Sequence, residues 1–132
     1  MHVRVRVGRE LYALPVTNVL EVAELGDLTT VPAADHSVLG VRNLNGRVLP
    51  VVDLASVFGI ARDGAAPRLV VAEHDGSLAG FVVDEVTDVA ELGSDREHVE
   101  VDFLTHAVLE DGQLIGVVDF ERVFARLTRV AA

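Results

Sequence analysis

Two blocks of this sequence recur in the same order, and any fold must give both copies comparable surroundings. "RELYALPVTNVLEVAEL" (9–25) aligns with "GSLAGFVVDEVTDVAEL" (76–92). Leu11, Val16, Val19, Val22, Ala23, Glu24 and Leu25 return as Leu78, Val83, Val86, Val89, Ala90, Glu91 and Leu92, an offset of 67 residues. "RVLPVVDLASVF" (47–58) aligns with "QLIGVVDFERVF" (113–124), where Val51, Val52, Asp53, Val57 and Phe58 return 66 residues on. One residue of length change between the blocks reconciles the two offsets. The pattern predicts a single domain over 1–132 built from two homologous units, about 9–59 and 76–127, with "ARDGAAP" (61–67) as the joint. Each unit is too small to bury a comfortable core alone, so the two are expected to share apolar surface.

Both units read as β. Half of the chain is hydrophobic but only 5% is aromatic, so the core must come from Val, Leu, Ile and Ala; β-branched side chains suit a pleated surface. "HVRVRV" alternates strictly and puts Val3, Val5 and Val7 on one face, Arg4 and Arg6 on the other. "ELYALPV" follows the Gly8-Arg9 break and is expected to pair back on it. Three further hairpins are marked by Asn45-Gly46, by "HDG" (74–76) and by Asp111-Gly112 between strand-like runs. Asp53 and Asp119 stand where a carboxylate caps a short helix, "LASVF" and "FERVFARL", the first stopped by Gly59. Each unit is therefore expected to be a small curled sheet closed by a short helix.

The formal net charge is −10, from 21 acidic and 11 basic residues, which disfavours nucleic acid and anionic lipid as partners. With no Cys, disulfides and thiolate chemistry are excluded, and a reducing compartment fits. No apolar run approaches the ~20 residues of a spanning helix, and "MHVRVRVGRE" lacks a signal-peptide core. The expectation is a soluble cytoplasmic chain with no direct membrane insertion.

The sequence shows no catalytic pattern. The five His (His2, His36, His74, His98, His106) lack metal-ligand spacing and read as solvated loop residues. No serine lies in a nucleophile motif, and no phosphate loop is present. "DEVTD" (84–88) gathers three acids without calcium-loop spacing and reads as a solvated acidic edge. No cofactor and no metal are expected. An interaction module remains, with small apolar residues beside turns, Val19, Val22, Val38, Val41 and Val86, as candidate contacts or as plain strand packing.

"GVRNLNGRVLPVVDL" (40–54) resembles the signature of the CheW-like adaptors of bacterial chemotaxis, G-(I/V)-x-N-L-R-G-x-(I/V)-x-P-V-(I/V)-D-L. "GRELYALPVTNVLEV", "LAGFVVDEVTDVAEL" and "FLTHAVLEDGQLIGVVDFERVF" resemble the family's opening, second-half strand pair and closing hairpin, from about Val3 to Leu127. The resemblance implies a mainly β fold of two fused SH3-like five-stranded β-barrel subdomains with short helices, and no catalysis. It implies an adaptor coupling the cytoplasmic tips of chemoreceptors to the regulatory domain of a CheA-type histidine kinase, recruited to the inner membrane face through those receptors. Partner contacts carried over by position are Val19, Glu21, Gly40, Val41, Asn45 and Gly46, with Val83 and Val86 in the second unit. Asp53 and the chain's length and free ends favour the stand-alone adaptor over the kinase's own copy. Asn45 departs from the family pattern: it stands where an Arg is usual, near a Glu matching Glu21, and Arg42 or Arg47 is the candidate to replace that charge. The alternative is a divergent regulatory or structural module of the same family in a non-motility kinase pathway.

Overall fold

The computed structural model describes residues 1–32 and 35–131, the last four of these by backbone alone. The first unit contributes β1 (His2–Val7), β2 (Glu10–Pro15), a 3-10 turn (Val16–Asn18), β3 (Val19–Glu24), β4 (Val38–Leu44), β5 (Arg47–Asp53) and α1 (Leu54–Phe58). The second contributes β6 (Arg68–His74), β7 (Ser77–Val83), β8 (Glu85–Ala90), β9 (Arg96–Glu97), β10 (Leu104–Glu110), β11 (Gln113–Val118) and α2 (Phe120–Ala131). The marked turns form as their residues require. Asn45-Gly46, Asp75-Gly76 and Asp111-Gly112 all take positive φ at both positions, with 53° and 84° in the first, as tight hairpins with the right strand twist demand.

The chain is mainly β, in two sheets with short helices. The expectation of one sheet per unit is overturned. One sheet has the order β8-β1-β2-β11-β10-β9 and the other β3-β6-β7-β5-β4. Each draws its leading hairpin from one unit and its next three strands from the other; β9 is an addition to the first. The exchange is symmetric: under the repeat, β2 lying parallel on β11 corresponds to β7 lying parallel on β5. Even the register agrees, for Val117 lies opposite Ala13 and Val51 opposite Gly80, positions related by the two offsets. A hairpin cannot make a parallel pair, and in both sheets the parallel partner is a strand of the other unit.

Burial follows from the alternation. Val3, Val5 and Val7 are buried and Arg4 and Arg6 face the other way, as the pattern predicts. In β6 and β7 both faces are covered. Leu69, Val71 and Val82 pack with Leu44, Leu49 and Val51 on the five-stranded sheet's own inner face. Val70, Ala72, Phe81 and Val83 face a central core shared with Val5, Leu14, Val118 and both helices. There the Phe81 ring lies 5.3 Å from that of Phe120 and 5.8 Å from that of Phe124. A third, smaller cluster of Ala13, Val108, Ile115 and Val117 lines the six-stranded sheet. The shared surface expected between the units is thus the centre of the molecule.

Carboxylates tie the loops to this frame, not always as the sequence implied. Asp119 caps α2, its Oδ1 accepting from the Arg122 backbone N–H at 3.3 Å. Asp53 occupies the N-cap position of α1 without a side-chain cap bond; its carboxylate instead accepts from the Ser56 hydroxyl and faces Arg62 Nε at 3.1 Å. The acids of 84–88 are not merely a solvated edge. Asp84 is 5% exposed and accepts from the backbone N–H groups of Gly8, Asp63 and Gly64 at 2.6, 3.1 and 2.8 Å. It clasps the joint between the units to the β1–β2 turn. Glu85 and Asp88 pair with Arg6 and Arg4. Nor are all the histidines in loops: His2, His74 and His106 are half-buried in β1, β6 and β10.

Because each sheet is completed only by the other unit, residues 1–62 and 63–132 produced separately should each lack cooperative β structure and regain it on mixing. Circular dichroism with urea titration checks this, and a cooperative transition in either fragment alone contradicts the exchange.

Acid should undo the carboxylate ties. Asp35 is held down to about 2 by the Ser37 hydroxyl and backbone N–H, burial opposing, with Arg126 of α2 adding to the shift. Burial pushes Asp84 up, but the three N–H donors and Arg6 bring it below the usual carboxylate value. Folded values below unfolded ones give stability that is complete above about pH 4 and is lost as pH falls toward 2. Asp35→Asn should remove about 1–2 kcal/mol at neutral pH and flatten the acid limb, as read from urea midpoints between pH 7 and 2.5.

Candidate partner-binding surface

The strands β3 and β4 end the five-stranded sheet on opposite sides, and Val19, Glu21, Gly40 and Val41 lie on them, with Asn45 and Gly46 in the turn that follows β4. After β3 the chain crosses to the free edge of β4, where Thr29 and Val41 exchange backbone hydrogen bonds of 2.9 and 2.8 Å. Gly40 is what permits this approach, since a Cβ there would collide with the Thr29 carbonyl oxygen. Gly40 is buried and Val41 half-buried, so their part in this structure is to bring the two edges of one sheet together.

Around that edge the surface is mixed. The Asn45-Gly46 turn is fully outside, braced from below by Asn43, whose Oδ1 accepts from the Gly46 N–H at 3.0 Å. Val48 beside it is 67% exposed, and on β3 Leu20 is 48% exposed; neither was named as a site residue from sequence. Glu21 is half-buried, opposite Val71 of β6. Among the described residues Glu21, Arg42 and Arg47 make no ion pair. Arg42 does not replace the charge expected near Glu21: its guanidinium lies over Gly26, and its Nη1 is buried without a hydrogen-bond partner. Arg47 is exposed.

The second-unit candidates lie elsewhere. Val83 is wholly buried in the central core, and Val86 packs half-buried against the same core from the other sheet. Val19, the equivalent of Val86 in the first unit, packs there as well. The structure therefore brings Val19, Val83 and Val86 together as packing residues. Glu21, Gly40, Val41, Asn45 and Gly46 remain grouped on the strands and turn of one sheet. Asn43, inside the same "GVRNLNG" stretch, was not among the residues singled out from the sequence. A short Asn two residues before an Asn-Gly turn is the signal that could have found it.

Among the described residues no group of three His, Cys, Asp or Glu side chains is gathered to hold a metal ion. No helix among them is long and apolar enough to cross a membrane.

Comparison with known proteins agrees with this geometry. The model of the CheW-like domain matches residues 2–128. The chemotaxis protein CheW of Thermotoga maritima is 33% identical over 129 residues, covering 92% of this chain and 85% of that protein. CheW of Helicobacter pylori is 35% identical over 88 residues, 65% of this chain and 53% of that protein. The crystal structure of the scaffolding protein TtCheW from Thermoanaerobacter tengcongensis superposes with a TM-score of 0.82 at 28% identity, covering 89% of this chain and 82% of that one. A family match that runs nearly end to end, a relative 33% identical over 92% of the chain and a superposing CheW structure show that the chain belongs to the CheW-like family and is a non-enzymatic adaptor of chemotaxis signalling.

Proposed function

We propose that the chain couples the cytoplasmic tips of chemoreceptors to the regulatory domain of a CheA-type histidine kinase, in the cytoplasm and at the inner membrane face where those receptors hold it. The observation that carries this reading is the match of the CheW-like domain over residues 2–128. Two sheets, each with its own inner apolar cluster and both packed on a shared core, support it. In this reading each sheet curls into an SH3-like barrel. The crossing of the chain from β3 to the free edge of β4 supports such closure for the five-stranded sheet.

The contact surface is proposed to be the β3–β4 side of that sheet: Glu21, Gly40, Val41, Asn45 and Gly46, with the exposed Leu20 and Val48 beside them. A rim of scattered charge around small apolar patches is what a reversible adaptor interface requires. Val19, Val83 and Val86 pack in or against the central core and are not placed on this surface.

The purified chain should co-elute with the kinase regulatory domain and with a receptor-tip fragment, and binding to neither contradicts the reading. Asn45 is the sharper probe. Its φ of 53° suits Asn better than Arg, so Asn45→Arg should cost about 0.5–1 kcal/mol of stability. If the turn is a receptor contact, the same variant should bind the receptor tip about fivefold more tightly. Titration calorimetry and urea melts measure both; unchanged affinity shows that position 45 only turns the chain.

A further inference from the structure

The internal repeat places a solved ion pair opposite an unsolved one. In the six-stranded sheet, Arg4 of β1 lies directly across from Asp88 of β8 and grips its carboxylate with both arms of the guanidinium, Nε at 2.7 Å and Nη2 at 2.6 Å. A second contact, from Arg4 Nη1 to Glu110 at 3.3 Å, completes the site. The repeat carries Arg4 onto Val71, Asp88 onto Glu21 and Glu110 onto Leu44. In the five-stranded sheet Glu21 of β3 does lie directly across from Val71 of β6. The carboxylate is retained at the equivalent place, but the guanidinium has become a wholly buried valine and the second acid a buried leucine. Glu21 pairs with no cation among the described residues, and Arg42, on the same sheet, is turned against Gly26.

We infer that Glu21 is the acceptor for an arginine supplied by a protein partner. A forked guanidinium fits because that is what this strand position takes when its own chain provides one, and planar two-armed pairing with a carboxylate is a property of Arg and not of Lys. Val71 fills the place of the Arg4 stem, so the guest reaches Glu21 from the solvent side, on the face of β3 that Glu21 shares with Val71 and not on that of Val22. The chain's net charge of −10 draws a basic surface toward it and repels an acidic one. The inference rests on the adaptor reading and adds to it the chemistry of the partner's contact.

The test is titration calorimetry of the full chain, of Glu21→Gln and of Asp88→Asn, against two probes: the kinase regulatory domain and a receptor-tip fragment. Glu21→Gln should weaken binding to one probe about tenfold at low salt, and less at high salt, with an unchanged melting temperature. Replacing one arginine of that probe with Gln should give the same loss alone and none further on top of Glu21→Gln. Asp88→Asn should lower the melting temperature and leave binding unchanged. Binding of the wild type that Glu21→Gln leaves within twofold overturns the inference while the adaptor reading stands; so does a loss that couples to no arginine of the probe. Binding of the wild type to neither probe removes the adaptor reading and this inference with it.

Discussion

The two parallel ladders, β2 on β11 and β5 on β7, are the constraint on which the rest of the molecule depends. Each joins a strand of one unit to a strand of the other, in the middle of a sheet. Two further joins, β1 on β8 and β3 on β6, are also made between units. The hairpins within a unit are local and form through their turns. The ladders that turn hairpins into sheets are long-range, and closing them costs chain entropy that only the assembled core repays. The units are therefore interlaced and share the phenylalanine-rich centre under α2. The Asp84 clasp on the joint and the first turn holds the crossing point in place.

Duplication within one scaffold leaves room for the copies to diverge where packing allows. The central core and the parallel ladders are preserved in both halves. The inner faces differ: the five-stranded sheet encloses Leu44, Leu69 and Val71, whereas the six-stranded sheet places Glu110 and Arg4 at two of the equivalent positions. One sheet thus pairs Arg4 with Asp88 and Glu110 at this place, and the other is apolar there and carries Glu21, which has no ion-pair partner among the described residues. For an adaptor this is a useful asymmetry, because a protein that joins two different partners must not present them with the same surface.

Much of the fold was legible in the sequence, for identifiable reasons. Strict alternation in "HVRVRV" fixed which face of β1 is buried, and Asn45-Gly46 and Asp111-Gly112 placed their hairpins, because both are local rules. The exchange of strands was not legible. Periodicity says which face a strand buries and nothing about which strand lies beside it, so a repeat by itself implies one sheet per copy. The fate of Asp84 was hidden for a related reason, since its partners are three amides contributed by two distant loops. On the candidate surface Gly40 falls in β4 and Asn45-Gly46 in the turn that ends it, as the local turn rule for Asn-Gly requires. Val83 and Glu21 come from strands with similar patterns, yet one is sealed in the core and the other reaches solvent. That difference arises from which sheet neighbours cover each residue.

Native-state hydrogen exchange tests the interlaced architecture most directly. Amides in the β2–β11 ladder, such as that of Val118, and in the β5–β7 ladder, such as that of Val52, should exchange only through global unfolding. Their opening free energies should equal one another and the stability from urea melts. A sheet that opens by itself, with one ladder exchanging at a distinctly lower free energy than the other, would contradict the account.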